Sequence, residues 1–139
     1  MPSGAVDIVR AWIDCVQRRD IEGIRAGVAP DYVIVEPIPL TYAGTYRGAD
    51  GYTDFITKFR AAWGEFEAKE EIFSEVAPGV VLVKIVFRAT ACATGTPYEG
   101  GVVEFIHVKH DLITRSEIFY EDPVGAAAAL GVHHVSADA

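Results

Sequence analysis

The residue whose position best suits chemistry is Glu36, which directly follows the short apolar run Val33–Val35. Pro37 and Pro39 come after it, and proline has no backbone N–H with which to pair a strand or bond a carboxylate. A carboxyl group in an apolar setting is costly to ionise, so its pKa rises toward the value at which a general base works near neutral pH. Glu36 is therefore the candidate general base. The alternative is an exposed strand end whose carboxylate accepts hydrogen bonds from loop amides.

An aromatic loop and an apolar helix face follow Glu36. Tyr42 and Tyr46 lie in the loop as candidate ligand contacts, with loop packing as the alternative. The next apolar residues fall at i, i+3, i+4, i+7 and i+11, and they are Tyr52, Phe55, Ile56, Phe59 and Trp63. This spacing predicts a helix with one buried face, ending at Gly64.

The rest of the pattern predicts the elements that position these residues. Residues 5–16 carry one apolar stripe and predict a first helix, and Asp20 is placed to cap a short second helix. From residue 65 onward, alternation and turn residues predict about four long antiparallel strands, at 65–75, 80–94, 101–109 and 113–121. Asp122–Pro123 predicts the start of a terminal helix. Helices followed by strands imply an α+β fold, in which a curved antiparallel sheet wraps around the N-terminal helices and leaves an internal cavity.

Length and composition narrow the class of protein. The chain has 139 residues, half of them hydrophobic, which predicts one domain over 1–139 with a frayed tail at 132–139. The formal charge of −8 argues against nucleic-acid binding. No apolar run is long enough to span a bilayer and no signal pattern opens the chain, so we expect a cytoplasmic protein without membrane contact. Cys15 and Cys92 are expected to be buried free thiols. The four histidines do not form a metal set, and we expect no metal or cofactor.

Three local motifs lie within this element order. They are Glu36-Pro37 after the apolar run, the segment YAGTYRG at 42–48, and the ending IFYEDP at 118–123. Together with the order of elements along almost the whole chain, they resemble the NTF2-like superfamily, and within it the SnoaL-like and ketosteroid-isomerase-like proteins. The resemblance implies a cone-shaped fold with a cavity. This fold hosts isomerases, polyketide cyclases, epoxide hydrolases, dehydratases and non-enzymatic binders, so it does not give the reaction by itself.

The resemblance also assigns roles to individual residues. In steroid-isomerase-like members, the strand-end carboxylate before proline is the general base, and this position is Glu36 here. A tyrosine that helps bind the oxyanion falls on Trp12, whose indole N–H can donate a hydrogen bond but cannot transfer a proton. A protonated carboxylic acid on the penultimate strand falls on Glu104. The aspartate of polyketide cyclases is replaced by Ile118, and the Arg-x-Asp pair of epoxide hydrolases is missing at 84–86.

The face on which Glu104 lies depends on the hairpin that follows it. A three-residue loop at 110–112 places Glu104 with Ser116, Ile118 and Tyr120, whereas a two- or four-residue loop places it with Arg115. The first arrangement leaves a single charge on that face and is favoured, with a surface glutamate as the alternative. The candidate substrate-binding residues are Tyr42, Tyr46, Phe55, Phe59, Ile106, Ser116, Ile118 and Tyr120.

Two functions from different classes remain open. The first is an acid–base enzyme of the isomerase, cyclase or dehydratase type, acting on an apolar, carbonyl-bearing small molecule in a buried pocket. Glu36 is then the general base, and Glu104 or Trp12 stabilises an enolate. The second is a non-catalytic domain that binds a small ligand or dimerises. We expect a homodimer formed through the outer face of the sheet, where Phe73, Phe105 and Phe119 are predicted to lie among charged residues.

Overall fold

A computed structural model describes residues 4–132, so the tail predicted to fray lies outside the described residues from residue 133 onward. The elements run in the order α1 (Ala5–Gln17), α2 (Ile21–Gly27), β1 (Val28–Glu36), β2 (Gly44–Arg47), α3 (Gly48–Trp63), β3 (Phe66–Ala77), β4 (Val80–Thr90), β5 (Pro97–Lys109), β6 (Leu112–Tyr120) and α4 (Pro123–Ala129). The predicted α+β class is confirmed.

The six strands form one mixed sheet in the order β2-β1-β6-β5-β4-β3. All neighbouring strands are antiparallel except β1 and β6, which run parallel. The prediction of a wholly antiparallel sheet is therefore wrong at this pair. The sequence predicts a loop where β2 lies, because the four residues Gly44–Arg47 carry too little alternation to mark a strand. The parallel pair places the end of β1 directly beside β6, and this controls the position of Glu36.

The predicted helix ends are confirmed. The Asp20 carboxylate accepts a hydrogen bond from the Gly23 N–H at 3.0 Å and caps α2. Asp122 caps α4 in the same way, with Pro123 as the first helical residue. Gly64 ends α3 with a φ of +68°, which favours glycine because it has no Cβ.

The aromatic face of α3 packs against the sheet. Its five predicted apolar residues are all buried. The rings of Phe59 and Trp63 lie 5.5 and 5.3 Å from that of Phe87 on β4. Trp12 on α1 packs 4.9 Å from Tyr52. The two helices thus lie side by side over one face of the sheet, with aromatic rings between them.

A bulge in β3 reverses its side-chain alternation. Glu70 pairs with Ile85 and Ile72 pairs with Lys84, so Glu71 is an extra residue. The bulge brings Phe73 to the helix side of the sheet, where the Arg10 guanidinium lies 4.1 Å from its ring. The prediction that Phe73 faces outward is therefore wrong, because the inserted residue moves the side chains that follow it, up to the next irregularity after Glu75, to the opposite face.

A second irregularity decides the face of Glu104. The β5–β6 hairpin turns through only two residues, His110 and Asp111, both with positive φ. The predicted three-residue loop is therefore wrong. Between the pairs Val108–Ile113 and His107–Arg115, however, β6 contains one extra residue. The bulge restores the alternation that the short turn would have reversed, so the predicted pairing of Glu104 beside Ile118 is confirmed.

The cysteines do not both lie in the core. Cys15 is half-buried and Cys92 is exposed, so the prediction of two buried thiols is wrong for Cys92. The reason is that β4 ends at Thr90, four residues earlier than predicted, and Cys92 falls in a turn. Within residues 4–132, no helix has the length and apolar character needed to cross a membrane.

We predict that Phe59→Ala lowers the free energy of unfolding by about 3–5 kcal/mol, because it removes a ring that packs against α3, β3 and β4. Urea denaturation measures the change. Thr57→Ala, on the exposed side of the same helix, is the matched control and should change stability by less than about 1 kcal/mol. A loss of that small size for Phe59→Ala would contradict the described packing of α3.

Candidate active site

A cavity of about 150 Å³ lies between the sheet and the helices α1 and α3. Its lining is mainly apolar and aromatic, and Gln17 and Glu70, both exposed, lie where it meets the surface. A protein cavity of about this volume can hold one benzene ring. The helix walls are formed by Trp12, Ile13, Val16, Gln17, Tyr52, Phe55, Ile56 and Phe59.

One row of residues crosses five strands along the sheet side of this cavity. Phe73 pairs with Val83, Val83 with Glu104, and Glu104 with Ile118. Because Val35 pairs with Glu117, the next residue, Glu36, lies beside Ile118. All five residues line the cavity. The backbones of Glu36 and Glu104 are thus two strand spacings apart, about 10 Å, with an isoleucine between them.

Glu36 is buried without a hydrogen-bond partner for one of its oxygens. Glu36 is only 3% exposed. Within residues 4–132, its Oε1 is the one fully buried side-chain polar atom that has no hydrogen-bond partner. Pro37 contributes to this, because it offers no N–H at the strand end. An unbonded buried acceptor is costly, and such groups in native proteins are usually explained by function or by a ligand.

Burial changes the acidity of both carboxyl groups. It raises the pKa of Glu36 well above its ordinary value, and the negative charge of Glu104 raises that pKa further. Burial raises the pKa of Glu104 to about 7. Near neutral pH the two groups therefore hold at least one proton between them and titrate as a coupled pair. Glu36 is the more deeply buried of the two by accessible surface, so without a ligand the shared proton favours Glu36.

The indole N–H of Trp12 is already occupied. It donates to the backbone carbonyl of Ile24 at 3.1 Å. Gly27 allows this arrangement, because a Cβ there would lie 2.5 Å from the Trp12 ring. Trp12 thus lines the cavity with its ring, while its N–H is directed to α2. In this conformation Trp12 is not free to donate to an oxyanion.

A hydrogen-bonded chain reaches the cavity from the other side. The Trp63 indole N–H donates to the Tyr42 hydroxyl oxygen at 3.0 Å, and the Tyr42 and Tyr120 hydroxyls lie 2.6 Å apart. If the Tyr42 hydroxyl donates to Tyr120, every donor in the chain is used except the Tyr120 hydroxyl itself. Tyr120 lines the cavity and Tyr42 does not. With that direction of the Tyr42–Tyr120 hydrogen bond, the Tyr120 hydroxyl is left to donate into the cavity.

Most of the predicted site residues come together. Glu36, Glu104, Trp12, Phe55, Phe59, Ser116, Ile118 and Tyr120 all line the cavity. Three predicted ligand contacts, Tyr42, Tyr46 and Ile106, are buried in the protein interior outside this lining. Tyr46 instead donates its hydroxyl to the Tyr42 carbonyl at 2.8 Å.

Sequence reasoning missed several lining residues on both helices and on the strands β3 and β4. Among them are Ile13 and Gln17 on α1, Tyr52 on α3, Phe66, Glu70 and Phe73 on the edge strand β3, and Phe87 on β4. The stripe that contains Phe55 and Phe59 was the available signal for Tyr52. No group of three or more His, Cys, Asp or Glu residues within 4–132 is arranged to hold a metal ion.

Solved structures with this arrangement define the class of fold. An NTF2-like protein of unknown function from Burkholderia pseudomallei matches 94% of this chain and 100% of its own, with a TM-score of 0.83 and 22% identity. TerC, crystallised with polyporic acid, matches with a TM-score of 0.80 at 22% identity over the same shares of the two chains. IdmH, a putative polyketide cyclase from Streptomyces antibioticus, has a TM-score of 0.74, again with 22% identity, 94% coverage of this chain and 100% of that one. A comparison with curated proteins found no match.

The sequence itself matches the model of the SnoaL-like domain over residues 9–116. The chain therefore belongs to the SnoaL-like domain family, within the NTF2-like fold.

We predict that the stability of the protein falls as pH rises from about 4.5 to 7. In this window Glu104 ionises in the unfolded chain but keeps its proton in the folded one, so unfolding releases a proton. The part of the loss due to Glu104 should be on the order of 2–3 kcal/mol. Glu104→Gln should remove this part and leave the part due to Glu36, whose pKa is also raised. Urea denaturation at several pH values measures this. Glu99→Gln, an exposed position on β5, should keep the wild-type dependence. A Glu104→Gln variant with an unchanged pH slope would contradict the described burial.

Proposed function

We propose that this protein is an acid–base enzyme of the isomerase, cyclase or dehydratase type, acting on a small, apolar, carbonyl-bearing molecule. The observation that carries the proposal is the unbonded, buried Oε1 of Glu36 in an apolar cavity that also contains Glu104. Two similar structures support a small-molecule role, since TerC was crystallised with polyporic acid and IdmH is a putative polyketide cyclase.

The first step is proton abstraction by Glu36. Its carboxylate takes a proton from the carbon next to the substrate carbonyl, the C–H electrons form a carbon–carbon double bond, and the carbonyl oxygen becomes an oxyanion. A substrate carbonyl needs a hydrogen-bond donor, which the protonated form of Glu104 supplies. Substrate binding thus favours the proton on Glu104 and leaves Glu36 ionised. Return of the proton from Glu36 to another carbon completes an isomerisation.

Tyr120 is the second donor for the oxyanion. Its hydroxyl lies 2.6 Å from that of Tyr42, which accepts from Trp63. When Tyr42 donates to Tyr120, the Tyr120 O–H is left for the oxyanion. A donor held in place before reaction stabilises developing charge without reorganising. This role replaces the one that the resemblance implied for Trp12, whose N–H is bonded to Ile24.

A second candidate function is a non-catalytic ligand-binding domain. The observation that favours it is the spacing of the carboxyl groups, since about 10 Å between the backbones of Glu36 and Glu104 leaves room for a polar group that bonds to both. A ligand with hydrogen-bond donors would satisfy Oε1 of Glu36 without any reaction.

We predict that Glu36→Gln abolishes proton abstraction. The probe is phenylacetone, an apolar ring with one carbonyl, and the measurement is deuterium uptake from D₂O beside the carbonyl, followed by NMR. The wild-type rate should rise with pH through about 7, where the carboxyl pair loses its first proton. Glu36→Gln should lower the rate by at least about 100-fold, because it removes the base and keeps its shape.

Matched variants separate this proposal from its alternative. Tyr120→Phe should lower the rate on the order of 100-fold, as expected for loss of one oxyanion donor, and Glu99→Gln should leave it unchanged. Phenylacetone bound by the wild type without deuterium uptake would favour the non-catalytic function. A wild-type rate in Glu36→Gln would end the assignment of Glu36 as the base.

We also propose a homodimer formed through the outer face of the sheet. Phe105 and Phe119 pack edge to face at 6.0 Å there, and Phe119 is 52% exposed. Grouped apolar residues on a sheet face are typical of an interface. The wild type should sediment as a dimer at micromolar concentration, and Phe119→Lys as a monomer. Val124→Lys, at an equally exposed position on α4, is the control and should remain dimeric. A monomeric wild type would contradict the proposal.

A further inference from the structure

A second cavity, of about 220 Å³, adjoins the first at the end of α1. It is lined by Gln17, Arg19, Arg60, Glu65, Phe66 and Ala68. Gln17, Phe66 and Ala68 also line the first cavity. The two cavities therefore share one wall. The second cavity has a polar lining, whereas the lining of the first is mainly apolar.

The charges in this second cavity are unbalanced. Arg19 forms an ion pair with Glu65 at 3.1 Å, but the Glu65 side chain is 94% exposed, so solvent screens this pair. Arg60 is half-buried, and no carboxylate within residues 4–132 lies at ion-pair distance from it. Its guanidinium donates to the Val16 carbonyl at 3.1 Å and lies 5.6 Å from the Phe66 ring. Two guanidinium groups thus face a single, solvent-exposed carboxylate.

Arg10, another arginine near the first cavity, is neutralised by an ion pair. Arg10, beside Phe73, bonds both oxygens of Glu70 at 2.8 and 2.9 Å. Burial, and then the positive charge of Arg19, lower the pKa of Arg60, which is consistent with a locally positive potential. A net positive site in a chain of charge −8 attracts anions to one place.

We propose that the space beside Arg60 is a subsite for a carboxylate group of the substrate, whose apolar ring occupies the adjoining cavity. This inference rests on the proposed function, because it names the substrate class as small ring compounds with a carbonyl and a carboxylate. A guanidinium offers a planar pair of N–H donors that matches a carboxylate.

The subsite also fixes the direction of binding. The inner cavity contains the carboxyl groups of Glu36 and Glu104 and no basic side chain. An anion that entered with its carboxylate first would lose its hydration there without meeting a cation. The carboxylate therefore stays at Arg60, and the carbonyl end of the ring faces Glu36.

The test is a set of binding measurements on the full chain. The probes are benzoate, phenylacetate, 3-phenylpropanoate and 4-phenylbutanoate, each compared with its neutral amide by calorimetry. In the wild type, one chain length should bind at least tenfold more tightly as the acid than as the amide, and added salt should weaken only the acid. Arg60→Gln should remove the preference for the acid and leave amide binding unchanged.

Two further variants keep the result decisive. Glu65→Gln removes the competing carboxylate from the surface, so it should tighten acid binding two- to fivefold without affecting the amide, even if Arg60→Gln fails to fold. Arg47→Gln, an exposed arginine outside both cavities, should change neither. Equal binding of acid and amide by the wild type would overturn the subsite.

The outcome is independent of catalysis. Glu36→Gln should bind the preferred acid at least as tightly as the wild type, even though it is expected to lack proton abstraction. An acid preference together with a wild-type rate in Glu36→Gln would keep the subsite and reject the proposed base. A wild type without acid preference, together with a lowered rate in Glu36→Gln, would reject the subsite and keep Glu36 as the base.

Discussion

The site depends on the burial of a carboxyl group that the protein does not hydrogen-bond. A buried acceptor without a donor opposes folding, so the surrounding structure must hold Glu36 in place by other means. The parallel pairing of β1 with β6 fixes its backbone, and α1 and α3 cover the cavity into which it faces. The same isolation that is unfavourable for stability raises the pKa of the group and makes it a stronger base once ionised.

Unlike Glu36, several polar aromatic residues around the site have hydrogen-bond partners within the protein. Trp12, Tyr46 and Trp63 each bond to a partner inside the protein, and Tyr32 donates to Ser116 at 2.8 Å. Their partners fix the orientation of the rings that surround the cavity. The protein thus combines a hydrogen-bonded aromatic wall with one buried acid that has an unbonded oxygen, and support of this kind is what a preorganised site requires.

Local signals in the sequence predicted much of this. The caps at Asp20 and Asp122, the helix face of α3 and the strand-end position of Glu36 each depend on residues close together in the chain. The bulge at Glu71 and the extra residue in β6 do not, because they are set by pairing with strands elsewhere. For this reason Phe73 was assigned to the wrong face, whereas the face of Glu104 was predicted correctly from a wrong loop length, since the turn and the bulge compensate.

The row of five residues on five strands bears on how such a site can change during evolution. Each position in the row is a single side chain on a separate strand, so one codon can alter the chemistry without moving the backbone. Ile118 occupies the central place between the two acids. An acidic side chain there would give a lineage a third carboxyl at equal spacing from both. The backbone fold and the chemistry of the site can therefore change independently during evolution.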